Sequence, residues 1–410
     1  MKNFLVLLFL VTGLTLQAQY AYITHGGANH VSVIDVATNS LLTNIPIGEE
    51  TQGVAVTPDG SRAYVSALNS FNVYVIDGAT LSVTGSYTLS DYIQGLAVSP
   101  NGKFLFAMHN NSNFITLIKT ANGKMKTKEI GGVLSKPTCG VVSPSGRKLY
   151  VTLLSEDKVV ELDIKTLAIL NEMPTGDGPT QLDISPDGNS LYVTSNSDDM
   201  ITKYDLLTHT VEWNASVGDT PFGVAVMPDH SAVYVANFLG NSVSVVNPAD
   251  SANVVNTIPG VNFAVGVGIT PDGEKALVTS TSTGSVMVID IASSTIIATI
   301  PTGGAPQNWG KFIAPIPPMV PTNFSAASVN IIPEISISPV TSLHPNPVQD
   351  AIQIQAGIAG DYRIFSSTGI LLDTWHQDNE GSFSIDIQTL AAGVYFLQLP
   401  DKSLSKVIKL

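Results

Sequence analysis

From residue 20 to about residue 315 the chain alternates short apolar runs with clusters of turn residues. Leu182-Asp-Ile184 runs into Ser185-Pro-Asp-Gly188, and Leu191-Tyr-Val-Thr-Ser195 follows at once. Ile201 to Asp205 then alternates between two faces, Asp205-Leu-Leu-Thr208 turns the chain, and Val211 to Val217 forms another run. Runs this short, rich in β-branched and aromatic residues and bounded by Gly, Pro and Asp, read as strands rather than helices. Pro stands at the second turn position, where its fixed φ is already correct, and Gly closes the turn. The unit is therefore four strands, A to D, joined by tight turns.

The unit repeats. Its turn prolines are Pro58, Pro100, Pro144, Pro186, Pro228 and Pro271, spaced 42, 44, 42, 42 and 43 residues apart. A period of roughly 40–45 residues marks a propeller blade of four strands. Six residues after each proline stands Tyr64, Phe106, Tyr150, Tyr192, Tyr234 or Leu277, and thirteen further on Asp77, Lys119, Asp163, Asp205, Asn247 or Asp290. Loops normally tolerate insertions, so the fixed spacing means each unit packs on the next in one way. A carboxylate opening a turn accepts that turn's own N–H groups, which makes the aspartate column structural.

The ends of the array fit together. Tyr20 to Thr24 reads as a strand B with no strand A before it, and strands C and D follow to Ile47. At the other end Trp309-Gly-Lys-Phe-Ile-Ala-Pro315 reads as a strand A with no strand B after it. One strand from one end and three from the other complete a seventh blade, and a closed ring leaves no unpaired edge. The expected fold is all-β: a seven-bladed β-propeller, its last blade closed 3+1, followed by a small Ig-like β-sandwich. The expected divisions are a signal peptide at 1–18, the propeller at 19–315, a Pro-rich linker at 316–341 and a tail domain at 342–410.

Composition narrows the setting. Only 13% of the 410 residues are charged and the net charge is −14; an acidic chain repels phosphate backbones, so no nucleic-acid partner is expected. The one cysteine, Cys139, excludes an internal disulfide. Lys2 followed by an apolar run from Phe4 to Leu16 and by Ala18 has the pattern of a secretory signal. No other stretch is long and apolar enough to cross a bilayer, so no transmembrane segment is expected after its removal, and a monomer is expected.

Tyr150-Val-Thr152, Tyr192-Val-Thr194 and Tyr234-Val-Ala-Asn237, each after a Pro turn, resemble the YVTN-repeat family of seven-bladed propellers. That likeness implies a fold more than an activity. The tail resembles the type A C-terminal sorting domain of the type IX secretion system of Bacteroidetes. The residues that carry this are Pro345-Asn346-Pro347, Gly369, Leu390, Gly393-Val-Tyr395 and the basic end from Lys406 to Lys409. The resemblance implies transport across the outer membrane by the type IX machinery through residues 342–410, and display on the cell surface or release.

Candidate chemistry falls at the mouth of the ring, where the D–A and B–C loops converge. Two columns vary there as residues facing solvent or a ligand would. The first is His25, Ala67, His109, Leu153, Ser195, Asn237 and Ser280; the second is Gln52, Gln94, Thr138, Thr180, Phe222, Val265 and Trp309. His25 and His109 could form a pair over the mouth or be two exposed loop histidines. With no carboxylate or third histidine in the column, neither a metal nor a cofactor is expected. Phe222 and Trp309 with Gln52 and Gln94 would make an apolar, amide-lined rim suited to a sugar ring or a peptide. Cys139 stands where most blades have Gly, which suits a small buried thiol. The reading is a secreted or surface-displayed module that binds a glycan, peptide or protein. The alternative is an enzyme using the ring mouth, since lactonases, streptogramin lyases and quinoprotein-like dehydrogenases use related rings.

Overall fold

A computed structural model describes residues 19–249 and 253–314 and seven strands of the tail; the signal segment, the linker and the tail's loops lie outside the described residues. Two compact units divide the chain, residues 1–317 and 318–410. The described residues contain strands and turns and no helix.

The first unit is a ring of seven antiparallel sheets. Blade 4 has strands A to D at Pro179–Ile184, Ser190–Ser195, Met200–Asp205 and Thr210–Ser216, hydrogen-bonded in that order. Blades 1, 2, 3, 5 and 6 repeat the order over residues 51–88, 95–129, 137–174, 221–259 and 264–301. Strands A of successive blades touch around the axis, so they are innermost. Strands A and B are buried along almost their whole length, as in Pro137–Val142 and Ser190–Ser195. Strands covered on both faces carry unbroken apolar runs. The outermost strands meet water and are mostly exposed, as in Ser82–Thr88.

The repeat columns do what their spacing requires. Tyr22, Tyr64, Phe106, Tyr150 and Tyr192 are fully buried between neighbouring sheets. Asp77 Oδ1 accepts the N–H groups of Ala79 at 3.0 Å and Thr80 at 2.8 Å, and Asp205 Oδ1 those of Leu207 and Thr208 at 2.7 and 2.8 Å. Bonding to the charged form holds these carboxyls below their ordinary pKa, chiefly through Thr80 and Thr208. Cys139 is 2% exposed, and burial pushes its thiol up to about 12. It is inert packing.

The seventh blade closes as expected. Tyr20–Ile23 pairs with His30–Asp35, which pairs with Ser40–Pro46. The fourth strand comes from residues 305–314. His25 pairs with Pro306 and Gly26 with Ala305, while Tyr22 N–H donates to Phe312 O at 2.9 Å and Ala314 N–H to Tyr20 O at 2.8 Å.

In the second unit the described strands form two antiparallel sheets. One is Ser342–His344, Ala351–Gly357 and Gly381–Asp386; the other is Leu371–Gln377, Gly360–Ser366, Gly393–Gln398 and Leu404–Lys409. Gly393 pairs with Lys409 and Tyr395 with Val407, and Lys406 lies opposite Phe396. Pro345, Asn346, Pro347 and Gly369 lie outside the described residues.

Candidate functional site

The first mouth column is not at the mouth. His25, His109 and Asn237 are each 0% exposed, against the expectation that variable residues there face solvent. Each lies at or just beyond the end of its strand B and reaches sideways to strand C seven residues on. His25 Nε2 meets Ser32 Oγ at 2.9 Å, His109 Nε2 meets Thr116 Oγ1 at 2.9 Å, and Asn237 Nδ2 donates to Ser244 Oγ at 2.9 Å. The D–A loops fold over them. A Cβ on Gly304 would lie 3.2 Å from His25 Cβ, and one on Gly218 would lie 2.6 Å from Asn237 Cγ. Burial, with His30 close by, lowers His25 to about 3, and burial lowers His109 as well. Both rings are therefore neutral at ordinary pH, each tied into its own blade.

The second column is mixed: Thr138, Thr180 and Val265 are buried, and one member needs correction. Gln52, Gln94 and Phe222 are half-buried at the mouth. Gln52 Oε1 accepts the Tyr92 hydroxyl at 2.9 Å. A threonine of strand B repeatedly donates to the carbonyl of this column in the next blade: Thr24 to Gln52 O at 2.6 Å, Thr152 to Thr180 O at 2.9 Å, Thr194 to Phe222 O at 2.7 Å. In blade 6 the same bond runs from Thr279 to Gln307 O at 3.0 Å. Gln307, not Trp309, is thus the equivalent residue, because the strand A of blade 7 holds two extra residues between its outer pairing and Pro315.

Those extra residues fill the ring's axis. Asn308 Oδ1 accepts Thr24 N–H at 2.7 Å, and Asn308 O accepts Gln181 Nε2 of blade 4 at 3.3 Å. Trp309 bridges Gly53 in parallel, and Val54 N–H donates to Trp309 O at 3.2 Å. Lys311 Nζ pairs with Asp183 Oδ1 of blade 4 at 2.9 Å, while Asp183 Oδ2 accepts Val226 N–H of blade 5 at 3.0 Å. Gly310 has φ +128°, and a Cβ there would run into the carbonyls of Val54 and Leu96. Only glycine fits this crossing.

Pushed inward, Trp309 becomes the floor of a pocket rather than part of a rim. It is 7% exposed and its ring stands edge-on to Phe222 at 5.7 Å. Phe222 meets Phe238 edge-on at 5.3 Å, and Phe238 stacks on Phe263 at 4.8 Å. The row of four rings runs from the axis to the outer loops of blades 5 and 6, ending on Phe263, which is 38% exposed. Over it lies an open pocket of about 210 Å³ lined by Phe222, Phe238, Val265, Thr281, Gln307 and Trp309. Phe238 and Phe263 were not singled out in the sequence because they lie in loops beyond both columns. Among the described residues no group of three or more His, Cys, Asp or Glu side chains is placed to hold a metal.

With this geometry in view, comparison with known proteins separates the two units. Residues 342–410 match the secretion system C-terminal sorting domain. Residues 144–232 match the YNCE-like β-propeller. The chain thus joins a seven-bladed ring, of which residues 144–232 match the YNCE-like β-propeller, to a type IX sorting domain at residues 342–410. The protein is accordingly exported through the type IX secretion machinery to the cell surface or the extracellular space. No helix among the described residues is long and apolar enough to cross a membrane.

Among solved structures the ring is similar to Kuenenia stuttgartiensis hydrazine synthase, with a TM-score of 0.58 and 19% identity over 63% of this chain and 88% of that one. It is similar also to a functionally unknown protein from Desulfotomaculum acetoxidans DSM 771, with a TM-score of 0.64 and 17% identity over 73% of this chain and 99% of that one. A chain of the mitotic checkpoint complex gives 0.56 and 15% over 63% of this chain and 80% of its own. At such identities the likeness concerns the fold alone. No curated protein matches the sequence.

Proposed function

We propose that the exported propeller is a binding module and that its ligand seats in the aromatic pocket of blades 5, 6 and 7. The observation that carries this reading is the row Trp309, Phe222, Phe238 and Phe263, four rings in mutual contact beside a pocket of about 210 Å³. Aromatic faces opening to water offer a large apolar contact at little cost in side-chain entropy. Thr281 and the Gln307 amide add polar partners at the edge, the mixture that orients a sugar ring or the side chain of a peptide. Gln52 and Gln94, on the blade 1 and blade 2 side of the same mouth, extend the surface a longer ligand would cross. The two histidines do not enter it: their burial and their bonds to Ser32 and Thr116 give them a structural task.

The test is isothermal titration of the full chain against a panel of soluble oligosaccharides and aromatic peptides, repeated with Trp309→Ala and with Phe238→Ala. Phe238 is half-buried in a loop, so its loss leaves the core intact. Each substitution should weaken the best ligand about tenfold or more, whereas His109→Asn should leave the affinity alone. A ligand bound equally well by both aromatic variants would contradict the assignment.

A further inference from the structure

The ring carries its positive charge in one sector. Of the fourteen Lys and Arg residues between 19 and 315, ten lie between Lys103 and Lys165. Blades 2 and 3, residues 95–174, hold ten Lys and Arg against six Asp and Glu, in a chain whose net charge is −14. The repeat columns show that this is a substitution of charge at fixed positions and not scatter. The A–B turn carries Asp59, Asp187, Asp229 and Asp272 in four blades but Asn101 in blade 2 and Ser145 in blade 3. Two residues further on, Ser61, Asn189, Ser231 and Glu274 give way to Lys103 and Arg147. The C–D turn opens with Asp35, Asp77, Asp163, Asp205 and Asp290 in five blades but with Lys119 in blade 2.

Folding does not demand these exchanges. Asn101 Oδ1 accepts Ser99 Oγ at 2.8 Å and Lys103 N–H at 3.0 Å, the bonds that Asp187 Oδ1 makes with Ser185 Oγ and Asn189 N–H. The blade 2 C–D turn is held instead by Asn122 Oδ1, which accepts Lys124 N–H at 3.1 Å, and by Gly123 N–H on Lys119 O at 2.8 Å. Lysines on the outer strand alone would be ordinary protection of a sheet edge, and Lys126 and Lys128 can be read so. That reading does not cover Lys103, Arg147 and Lys165, which sit in turns, or Lys119, which ends an inner strand.

The turns bring these bases together on the face opposite the mouth. Thr120 N–H donates to Lys103 O at 3.1 Å, Ile164 N–H to Arg147 O at 3.0 Å, and Lys126 Nζ to Thr166 O at 2.7 Å, joining the two blades. A concavity of about 260 Å³ lies there, lined by Lys119, Lys124, Lys126 and Lys165 with Leu117 and Met125 between them. Lys103, Lys119, Lys124, Lys165 and Arg147 are exposed, and among the described residues none of them has a carboxylate within 4.0 Å.

We infer that this sector of blades 2 and 3 is a second docking surface, for a linear anionic polysaccharide. Unpaired ammonium groups attract a polyanion over a Debye length. The exposed Met125 side chain meets the C–H face of a sugar ring while the lysines around it meet carboxylates or sulfates. Export to the cell surface or beyond puts the face among acidic glycans, whose pyranose rings suit this apolar contact beside the lysines.

The experiment measures binding of the full chain to dextran sulfate, to polygalacturonate and to neutral dextran. It is run at about 50 mM and about 300 mM salt, with single-stranded DNA as a comparison. Both acidic polysaccharides should bind at the lower salt, bind about tenfold or more weakly at the higher, and bind better than the DNA, with dextran inert. Combining Lys103→Ser, Lys119→Asp, Arg147→Asn and Lys165→Ala installs residue types found at those columns in other blades. It should cost about tenfold or more in affinity while leaving the melting temperature and the mouth pocket's ligand unaffected. Should that variant melt early, Lys119→Asp alone serves, with an expected loss of about threefold. Absence of binding to both polyanions at low salt, equal binding of dextran, tighter binding of DNA, or full affinity in a folded variant would each overturn the proposal.

Discussion

His25 and His109 show how burial decides what a side chain can do. Each ring hydrogen-bonds a hydroxyl of strand C, and the chain continues outward, from Ser32 Oγ to Asn44 Oδ1 at 2.7 Å and from Thr116 Oγ1 to Thr127 Oγ1 at 2.8 Å. Asn237 does the same in blade 5, so three members of the column, of different acid–base character, make the same bridge from B to C. A consequence can be measured. His25 falls from its ordinary 6.5 to about 3 in the fold, so the unfolded chain takes up the proton first. The stability this neutral ring contributes is complete above about pH 6.5 and drains away as pH falls towards 3; by pH 5 the loss is about 2 kcal/mol for His25. Urea unfolding of His25→Asn, His109→Asn and the double variant at pH 7 and pH 5 should show a shallower acid dependence than the parent protein. An unchanged pH dependence in the double variant would mean the rings are not held neutral. The column's variability was visible in the sequence and its burial was not, because its cover comes from the D–A loops at Gly218 and Gly304, which lead in from the preceding blade.

The strand that closes the ring is the element on which the mouth depends. Its existence and its pairing with Tyr20 to Thr24 could be read from spacing, since three strands at one end and one at the other leave no alternative that removes both edges. Its course could not. The spacing to Pro315 puts Trp309 level with Gln52, whereas the hydrogen bond from Thr279 puts Gln307 there. The difference is two residues that bulge into the axis, where Gln181, Asp183, Val54 and Leu96 from three strands meet this segment. No local signal announces such contacts except the glycine they require. Gly310→Ala should destabilise the ring by about 2 kcal/mol or more, through both its positive φ and the two carbonyls it faces. Gly85→Ala, in an outer strand with nothing within 4 Å of the added methyl, should stay within about 0.5 kcal/mol or stabilise. Thermal unfolding compares the two, and equal effects would mean the axial crossing is not tightly packed.

At the scale of the whole molecule the chain is an exported ring with two unlike faces. The sorting tail was legible because its residues recur as a set, from Gly393 and Tyr395 to Lys406 and Lys409, the described members of which share two paired strands. The seven blades were legible because the turn prolines count them. The pocket was not, since it is assembled from a B–C loop residue, Phe238, a D–A loop residue, Phe263, and the displaced Trp309. The basic sector lay in the same columns that revealed the blades, and it emerges when they are compared for charge rather than for shape. One face thus presents aromatic rings around a closed axis, the other a patch of unpaired lysines, and the two are free to act independently. The most direct test of the binding account is hydrogen–deuterium exchange of the full chain with and without the best ligand of the titration panel. Slowed exchange should be confined to the segments around residues 220–222, 238–240, 263–265, 281 and 307–309. Slowing confined to the loops of blades 1 to 3, or none at saturating ligand, would contradict a binding site built on Trp309.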